Sequence, residues 1–215
     1  MPFKTVIFDM DGIIINSEPL WRRAEVQVFY SIGVPLNEEL AWETIGTRVD
    51  EVMRHWYERY PWEGKTFTEV GEEIIDAMVA LVKSDGQPMP GAHDAVALAA
   101  EVSSSMAIAS SSPLRLIEAT LERLDLMCAF DVIQSAEHVE FGKPHPAVYL
   151  QAAARLGADP RQCVAIEDSV VGLISAKAAR MRCIAVPDVG DDRSKFSLAD
   201  VILDSLADLT PEIFC

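Results

Sequence analysis

The chain of 215 residues has no Cys-x-x-Cys pair, no His-Glu-x-x-His motif and few basic side chains. It also lacks any run of about 18 apolar residues, so no membrane-spanning helix is expected. Cys128, Cys163, Cys183 and Cys215 are too scattered for zinc-ligand spacing, and the first three sit in or beside apolar segments. They are expected to be buried free thiols. His55, His93, His138 and His145 are equally dispersed. Lys and Arg number 18 against 34 Asp and Glu, a net charge of −16, which disfavours nucleic acid and anionic membranes as partners. The same charge repels phosphorylated metabolites at long range, so such a substrate needs a local cation and positive side chains to hold it. The N-terminus shows no signal-peptide pattern, and internal repeats and low-complexity tails are absent. A cytoplasmic protein is expected.

What is present is ordinary for a globular chain, 50% hydrophobic and 24% charged, with one stretch that organises the rest. Phe3-Lys4-Thr5-Val6-Ile7-Phe8 reads as a buried central strand, and it runs straight into Asp9-Met10-Asp11-Gly12. An open α/β sheet places its ligands at the carboxyl ends of its strands, and Gly12 permits a sharp turn there. Two acids one residue apart suit phosphoryl transfer. One attacks phosphorus and becomes an aspartyl phosphate, while the other protonates the departing alkoxide. A magnesium ion between Asp9 and the phosphoryl oxygens would relieve the repulsion between two anions. A calcium loop starting at Asp9 fails, because its fifth and twelfth positions would be Ile13 and Leu20. A purely structural Asp-rich turn remains the plain alternative.

From Ser17 to Ser84 the periodicity is helical: Leu20, Ala24, Val28 and Ile32, then Val49, Val52, Met53, Trp56 and Tyr60, then Val70, Ile74, Ile75, Met78 and Leu81. Ser17 is placed to cap a helix beginning near Pro19. Strand and helix then alternate, with strands at 106–109, 131–133, 163–166 and 183–186 and an edge strand at 201–203. The expected fold class is α/β, a Rossmann-like doubly wound parallel sheet with an inserted all-helical cap domain. Residues 1–16 and 85–215 form the expected core, and residues 17–84 the cap.

Three more polar clusters follow strands on the same side of this sheet. Ser110 and Ser111 precede a helix, where hydroxyls and backbone N–H groups can hold phosphoryl oxygens; taken alone they could equally serve as helix caps. Lys143 in Gly142-Lys143-Pro144 can neutralise a nucleophile and a transferring group, although isolated lysines are usually solvated. Glu167 and Asp168 offer hard oxygen ligands for magnesium, or simply acids favoured at a helix N-terminus. Their occurrence in order at successive βα junctions favours chemistry over these alternatives.

With these motifs the sequence resembles the haloacid dehalogenase superfamily, in its magnesium-dependent phosphatase branch with a helical cap after the first strand. The resemblance rests on Asp9-Met10-Asp11-Gly12, Ser110, Lys143-Pro144 and Glu167-Asp168-Ser169. It implies Asp9 as nucleophile, Asp11 as general acid and base, Ser110 and Lys143 as phosphate binders, and a magnesium site of Asp9, Asp11 through its carbonyl, and Asp168, with Glu167 just behind. Asp11 argues for phosphate chemistry, since the dehalogenases of the superfamily lack that second acid.

The cap stretches Ser17-Glu18-Pro19-Leu20-Trp21, Gly46-Thr47-Arg48-Val49-Asp50 and Trp56-Tyr57-Glu58-Arg59-Tyr60-Pro61-Trp62 look like those of bacterial phosphatases acting on hexitol 6-phosphates and 2-deoxyglucose 6-phosphate. On that resemblance Arg48 would bond sugar hydroxyls and Trp21 would form an apolar wall over a small-molecule sugar phosphate. Asn16 stands where relatives often carry Asp. A β-phosphoglucomutase-like isomerase is the nearest alternative, but those enzymes carry a cap histidine where Trp21 lies here, and an indole accepts no proton. A non-catalytic phosphometabolite-binding module is the other alternative. A monomer is expected.

Overall fold

A computed structural model of the protein describes residues 3–44 and 49–214. The chain divides into two compact units, Met1–Asn16 with Gln87–Cys215, and Ser17–Gly86. The expected exit from the helical segment at Ser84 is two residues short. Its last helix continues through Asp85, and Gly86 caps that helix by donating its N–H to Val82 O.

The first unit is built on β1 (Thr5–Phe8), β2 (Ser105–Ser110), β3 (Val132–Ser135), β4 (Cys163–Glu167), β5 (Arg182–Ala185) and β6 (Val201–Ile202), in the order β3-β2-β1-β4-β5-β6. Every adjacent pair is parallel. A parallel sheet needs crossovers on its faces, and the apolar strands bury both of theirs: all four residues of β1 are buried. In register, Phe8 lies between Ile108 of β2 and Ile166 of β4. The strand order reverses direction at β1, the place where open α/β sheets hold ligands. Where the chain leaves and re-enters this unit, Asn16 N donates to Gln87 O at 3.0 Å. That bond is between backbone atoms and is indifferent to the charge of the Asn16 side chain.

The second unit carries α1 (Glu18–Ser31), α2 (Glu38–Ala41), α3 (Val49–Arg59) and α4 (Phe67–Asp85), and no strand among the described residues. Its interior is aromatic, with Phe29 edge-on to Trp56 and Trp62 and Tyr57 edge-on to Trp62. A capping box of Thr66 and Glu69 starts α4. Ser17 corrects a sequence expectation: it occupies the N-cap position of α1, but its buried side chain makes no capping bond, and Pro19 satisfies the helix start by needing no partner for an N–H.

The first unit continues with α5 (Ala92–Val102), α6 (Leu114–Arg123), α7 (Ala147–Arg155) and α8 (Val170–Ala178). Cys163 and Cys183 are buried thiols, whereas Cys128 is exposed, contrary to expectation, in a short turn after α6; Cys215 lies outside the described residues. No helix among the described residues is long and apolar enough to cross a membrane.

Candidate active site

Asp9 is the first residue past β1, and its N–H continues the ladder to Ile166 O at 2.9 Å. The chain then folds back tightly, with Ile14 N donating to Met10 O at 2.8 Å and Gly12 N to Ile15 O at 3.0 Å. Gly12 has φ +72°, and a Cβ on it would stand 1.9 Å from Asp168 Oδ2. Only glycine lets this loop reach the β4 end so closely. The carboxyl ends of β1, β2 and β4 thus bring Asp9, Asp11, Ser110, Glu167 and Asp168 to one edge of the sheet, and the loop before α7 adds Lys143.

Lys143 is the hub of this cluster. Its Nζ lies 2.8 Å from Asp9 Oδ1 and 2.6 Å from Glu167 Oε1, with all three side chains buried. Glu167 is fully buried at the end of β4 and accepts from Lys143 and from Tyr149 Oη, each at 2.6 Å, through Oε1. Its Oε2 accepts from Ser169 N at 3.3 Å and Ser169 Oγ at 3.1 Å. A Cβ on Gly172 of α8 would come within 1.9 Å of the same carboxylate, so Glu167 is wedged against the first turn of that helix.

Asp11 lies on the other side of the loop. Its Oδ2 accepts from Ser112 Oγ at 2.8 Å and, at the long distance of 3.5 Å, from Ser110 Oγ. The Ser112 carbonyl is in turn held by Ser135 Oγ at 2.7 Å. The backbone at the start of α6 is less open to a ligand than the sequence suggests. Ser112 N donates to Ser110 Oγ at 3.0 Å, Leu114 N donates to Glu137 at 3.0 Å, and Pro113 has no N–H to offer.

The electrostatics show an excess of negative charge. Burial raises Asp9 from 3.8 to about 7; Lys143 opposes the shift, while Glu167 and Asp11 add to it. Asp168 is also raised, first by burial and then by Glu167 and Asp9. Burial works against the charge on Lys143 too, but Asp9 and Glu167 outweigh it and hold the ammonium protonated above the usual lysine range. We take the lysine as charged. One ammonium does not balance the surrounding carboxylates.

That imbalance is the test for a divalent cation. Asp9, Glu167 and Asp168 each place one carboxylate oxygen within 4.8 Å of the others. Proximity alone would admit all three as ligands. Four donors already occupy Glu167, however, whereas Asp9 and Asp168 carry no comparable set among the described residues. Hard oxygen donors with unfavourable mutual repulsion fit magnesium, with Asp9 and Asp168 the side chains to hold it and Glu167 anchoring the lysine instead.

Of the residues singled out from sequence, Asp9, Lys143, Glu167 and Asp168 lie together, and Asp11 is joined to Ser110 at the ends of neighbouring strands. Ser111 is exposed. Trp21 is half-buried on α1 in the helical unit, and Arg48 lies outside the described residues. Sequence reasoning missed Ser112 and Tyr149. Ser112 is the third member of the serine run Ser110-Ser111-Ser112, so the signal was present. Tyr149 gave none, reading only as one apolar position of α7.

Residues 3–180 match the family model described as haloacid dehalogenase-like hydrolase. The chain is 48% identical over 207 residues to hexitol phosphatase B of Escherichia coli K12, covering 95% of this chain and 93% of that protein. It is 34% identical over 181 residues to a phosphorylated carbohydrates phosphatase of Thermotoga maritima, covering 82% and 81% of the two chains. Among solved structures, CbbY from Rhodobacter sphaeroides in complex with phosphate superposes with a TM-score of 0.86 at 29% identity, covering 97% of this chain and 96% of that one.

Proposed function

The chain belongs to the haloacid dehalogenase-like hydrolases, and from that membership we propose that it is a magnesium-dependent phosphatase hydrolysing hexose or hexitol 6-phosphates, 2-deoxyglucose 6-phosphate among them, through an aspartyl phosphate. The observation that carries this reading is the buried Asp9–Lys143–Glu167 contact at the β1 and β4 ends, with Asp168 alongside and Asp11 two residues from the nucleophile.

Asp9 attacks the phosphorus through a carboxylate oxygen, and the bond between phosphorus and the sugar oxygen breaks. Asp11 delivers its proton to that oxygen, so the sugar leaves as a neutral alcohol. Water then attacks the aspartyl phosphate and gives a proton back to Asp11, which releases inorganic phosphate and restores Asp9. Lys143, held by Glu167, and the Ser110 hydroxyl bind the phosphoryl oxygens as charge moves onto them. Asp9 and Asp168, with the Asp11 carbonyl, would hold magnesium, which when bound would supply charge neutralisation for the nucleophile and the phosphoryl group. Buried carboxylates that repel one another gain from that cation, and the raised Asp9 and Asp168 support its assignment. Trp21 and Arg48 are assigned to sugar recognition on family resemblance alone.

The test is phosphate release by the purified protein with magnesium across sugar and hexitol phosphates, glycolate phosphate and nucleotides, with the sugar product identified. Inorganic phosphate is expected to accumulate on hexitol or hexose 6-phosphates, and Asp9→Asn is expected to abolish both turnover and the acid-stable trapped phosphoenzyme. Accumulation of an isomerised sugar phosphate would assign a mutase, and binding without release would assign a non-catalytic module.

A further inference from the structure

Lys143 has two carboxylate partners at nearly equal distance, 2.8 Å to Asp9 and 2.6 Å to Glu167. Its usefulness at the phosphoryl site depends on how it is shared between them. Glu167 is completely buried, so an unshared negative charge on Oε1 would draw the ammonium strongly. Tyr149 Oη donates to this same oxygen at 2.6 Å. Tyr149 is itself fully buried on α7, and its ring lies 5.1 Å from Lys143 Nζ, so the same side chain touches both members of the pair, the acid through its hydroxyl and the cation through its ring.

We propose that Tyr149 is a positioning residue for the phosphoryl-binding lysine: its hydroxyl occupies Glu167 Oε1 and thereby keeps Lys143 shared with Asp9 and available to the phosphoryl group. Without the hydroxyl, Lys143 becomes the only side-chain donor to Oε1 among the described residues, and the ammonium moves toward Glu167. The phosphoryl oxygens lose charge stabilisation, and the leaving group is unaffected because Lys143 does not touch it. This inference rests on the phosphatase reading.

Tyr149→Phe removes the hydroxyl and keeps the ring. The experiment measures inorganic phosphate binding by calorimetry with magnesium present, together with turnover of an aryl and a sugar phosphate. The variant is expected to bind phosphate about tenfold more weakly, the scale of one hydrogen bond to a charged group, with kcat/KM reduced by the same factor on both substrates and the magnesium concentration for half-maximal activity unchanged. Unaltered phosphate affinity would overturn the proposal even if kcat fell, since a loss of correctly folded protein lowers kcat without changing affinity. Should the phenylalanine variant not fold, 3-fluorotyrosine at position 149 carries the test. As a stronger donor it is expected to bind phosphate more tightly than the wild type, and equal or weaker binding overturns the proposal. Phosphate binding needs no turnover, so a wild type that binds phosphate but releases none from any substrate would defeat the phosphatase reading while leaving this one to be decided separately.

Discussion

Glu25 gives the sharpest quantitative test of how this chain is built, because it is a carboxyl in the interior of the helical unit with almost nothing to hold its charge. It lies on α1 beside buried Ala24, Val28 and Phe29 at 7% exposure. The donor seen is Thr44 Oγ1 at 3.5 Å, a hydroxyl that also reaches Ala41 O at 3.3 Å. Burial raises its pKa from 4.5 to about 7, with the Thr44 bond opposing the shift weakly. The folded protein therefore holds this proton up to about pH 7, while the unfolded chain releases it near pH 4.5. Stability from this group is intact below the lower value, falls as pH rises between the two, and stays low above the higher one. At about 1.4 kcal/mol for each factor of ten, the swing is about 3 kcal/mol. Glu25→Gln removes the titration and substitutes a neutral amide whose own mismatch, about 1 kcal/mol, is independent of pH and cancels when the two pH values are compared. All four tryptophans, Trp21, Trp42, Trp56 and Trp62, fall within Ser17–Gly86, so their fluorescence follows this unit through thermal unfolding. Relative to wild type, the variant is expected to gain roughly 6–12 °C in Tm between pH 4.5 and pH 8 for a chain of this length. A Tm difference that is the same at both pH values would show that Glu25 does not titrate in that window, and would refute the burial reasoning.

Four further outcomes follow from the site. Asp11→Asn is expected to slow sugar phosphates by at least about a hundredfold and aryl phosphates with good leaving groups much less, as measured by kcat on both; equal losses would remove Asp11 as the acid. Gly12→Ala places a methyl group 1.9 Å from Asp168 Oδ2 at φ +72°, so turnover and magnesium affinity are both expected to fall while helical content measured by circular dichroism is retained. Chelation of divalent cations is expected to abolish phosphate release and magnesium to restore it; full activity after exhaustive chelation would contradict the assigned ligands. Arg48→Ala is expected to raise KM for sugar phosphates several-fold and leave small aryl phosphates unchanged, and an unaltered substrate profile would remove Arg48 from sugar recognition.

The sheet was legible from sequence because the physics that makes it is local and repetitive. Parallel strands buried on both faces must be nearly continuous apolar runs, and Val6–Phe8, Met106–Ala109 and Cys163–Ile166 stand out between turn residues. The site was legible for a related reason: Asp9, Ser110, Glu167 and Asp168 sit at or one residue past a strand end, so finding the strands also places these residues at the carboxyl edge of the sheet, whereas Lys143, in the loop before α7, was marked only by its Gly142-Lys143-Pro144 setting. Tyr149 escaped because its spacing on α7 is that of a core residue, and nothing in a one-dimensional pattern shows that one atom of a buried ring meets a carboxylate 18 residues away. Glu25 escaped for the same reason in reverse. A charged residue inside a helix reads as solvent-facing, and only the packing around α1 reveals that it is covered. Cys128 was misplaced because apolar neighbours in sequence do not ensure burial in a short turn.

The division of labour between Glu167 and Asp168 shows why two adjacent acids of like charge are not redundant. As the last residue of β4, Glu167 points into the packed layer against Gly172, and the donors around it there fix a lysine rather than a metal. One residue on, side-chain direction reverses, and Asp168 meets the β1 loop at Gly12. Consecutive positions therefore serve opposite sides of the strand end, one anchoring the cation supplied by the protein and the other available for the cation supplied by solution. In a chain of net charge −16, the proposed anionic substrate would gain from both. Lys143 is already committed to two acids and offers only part of its charge, and the carboxylates of Asp9 and Asp168 leave a deficit of positive charge that a divalent ion would fill.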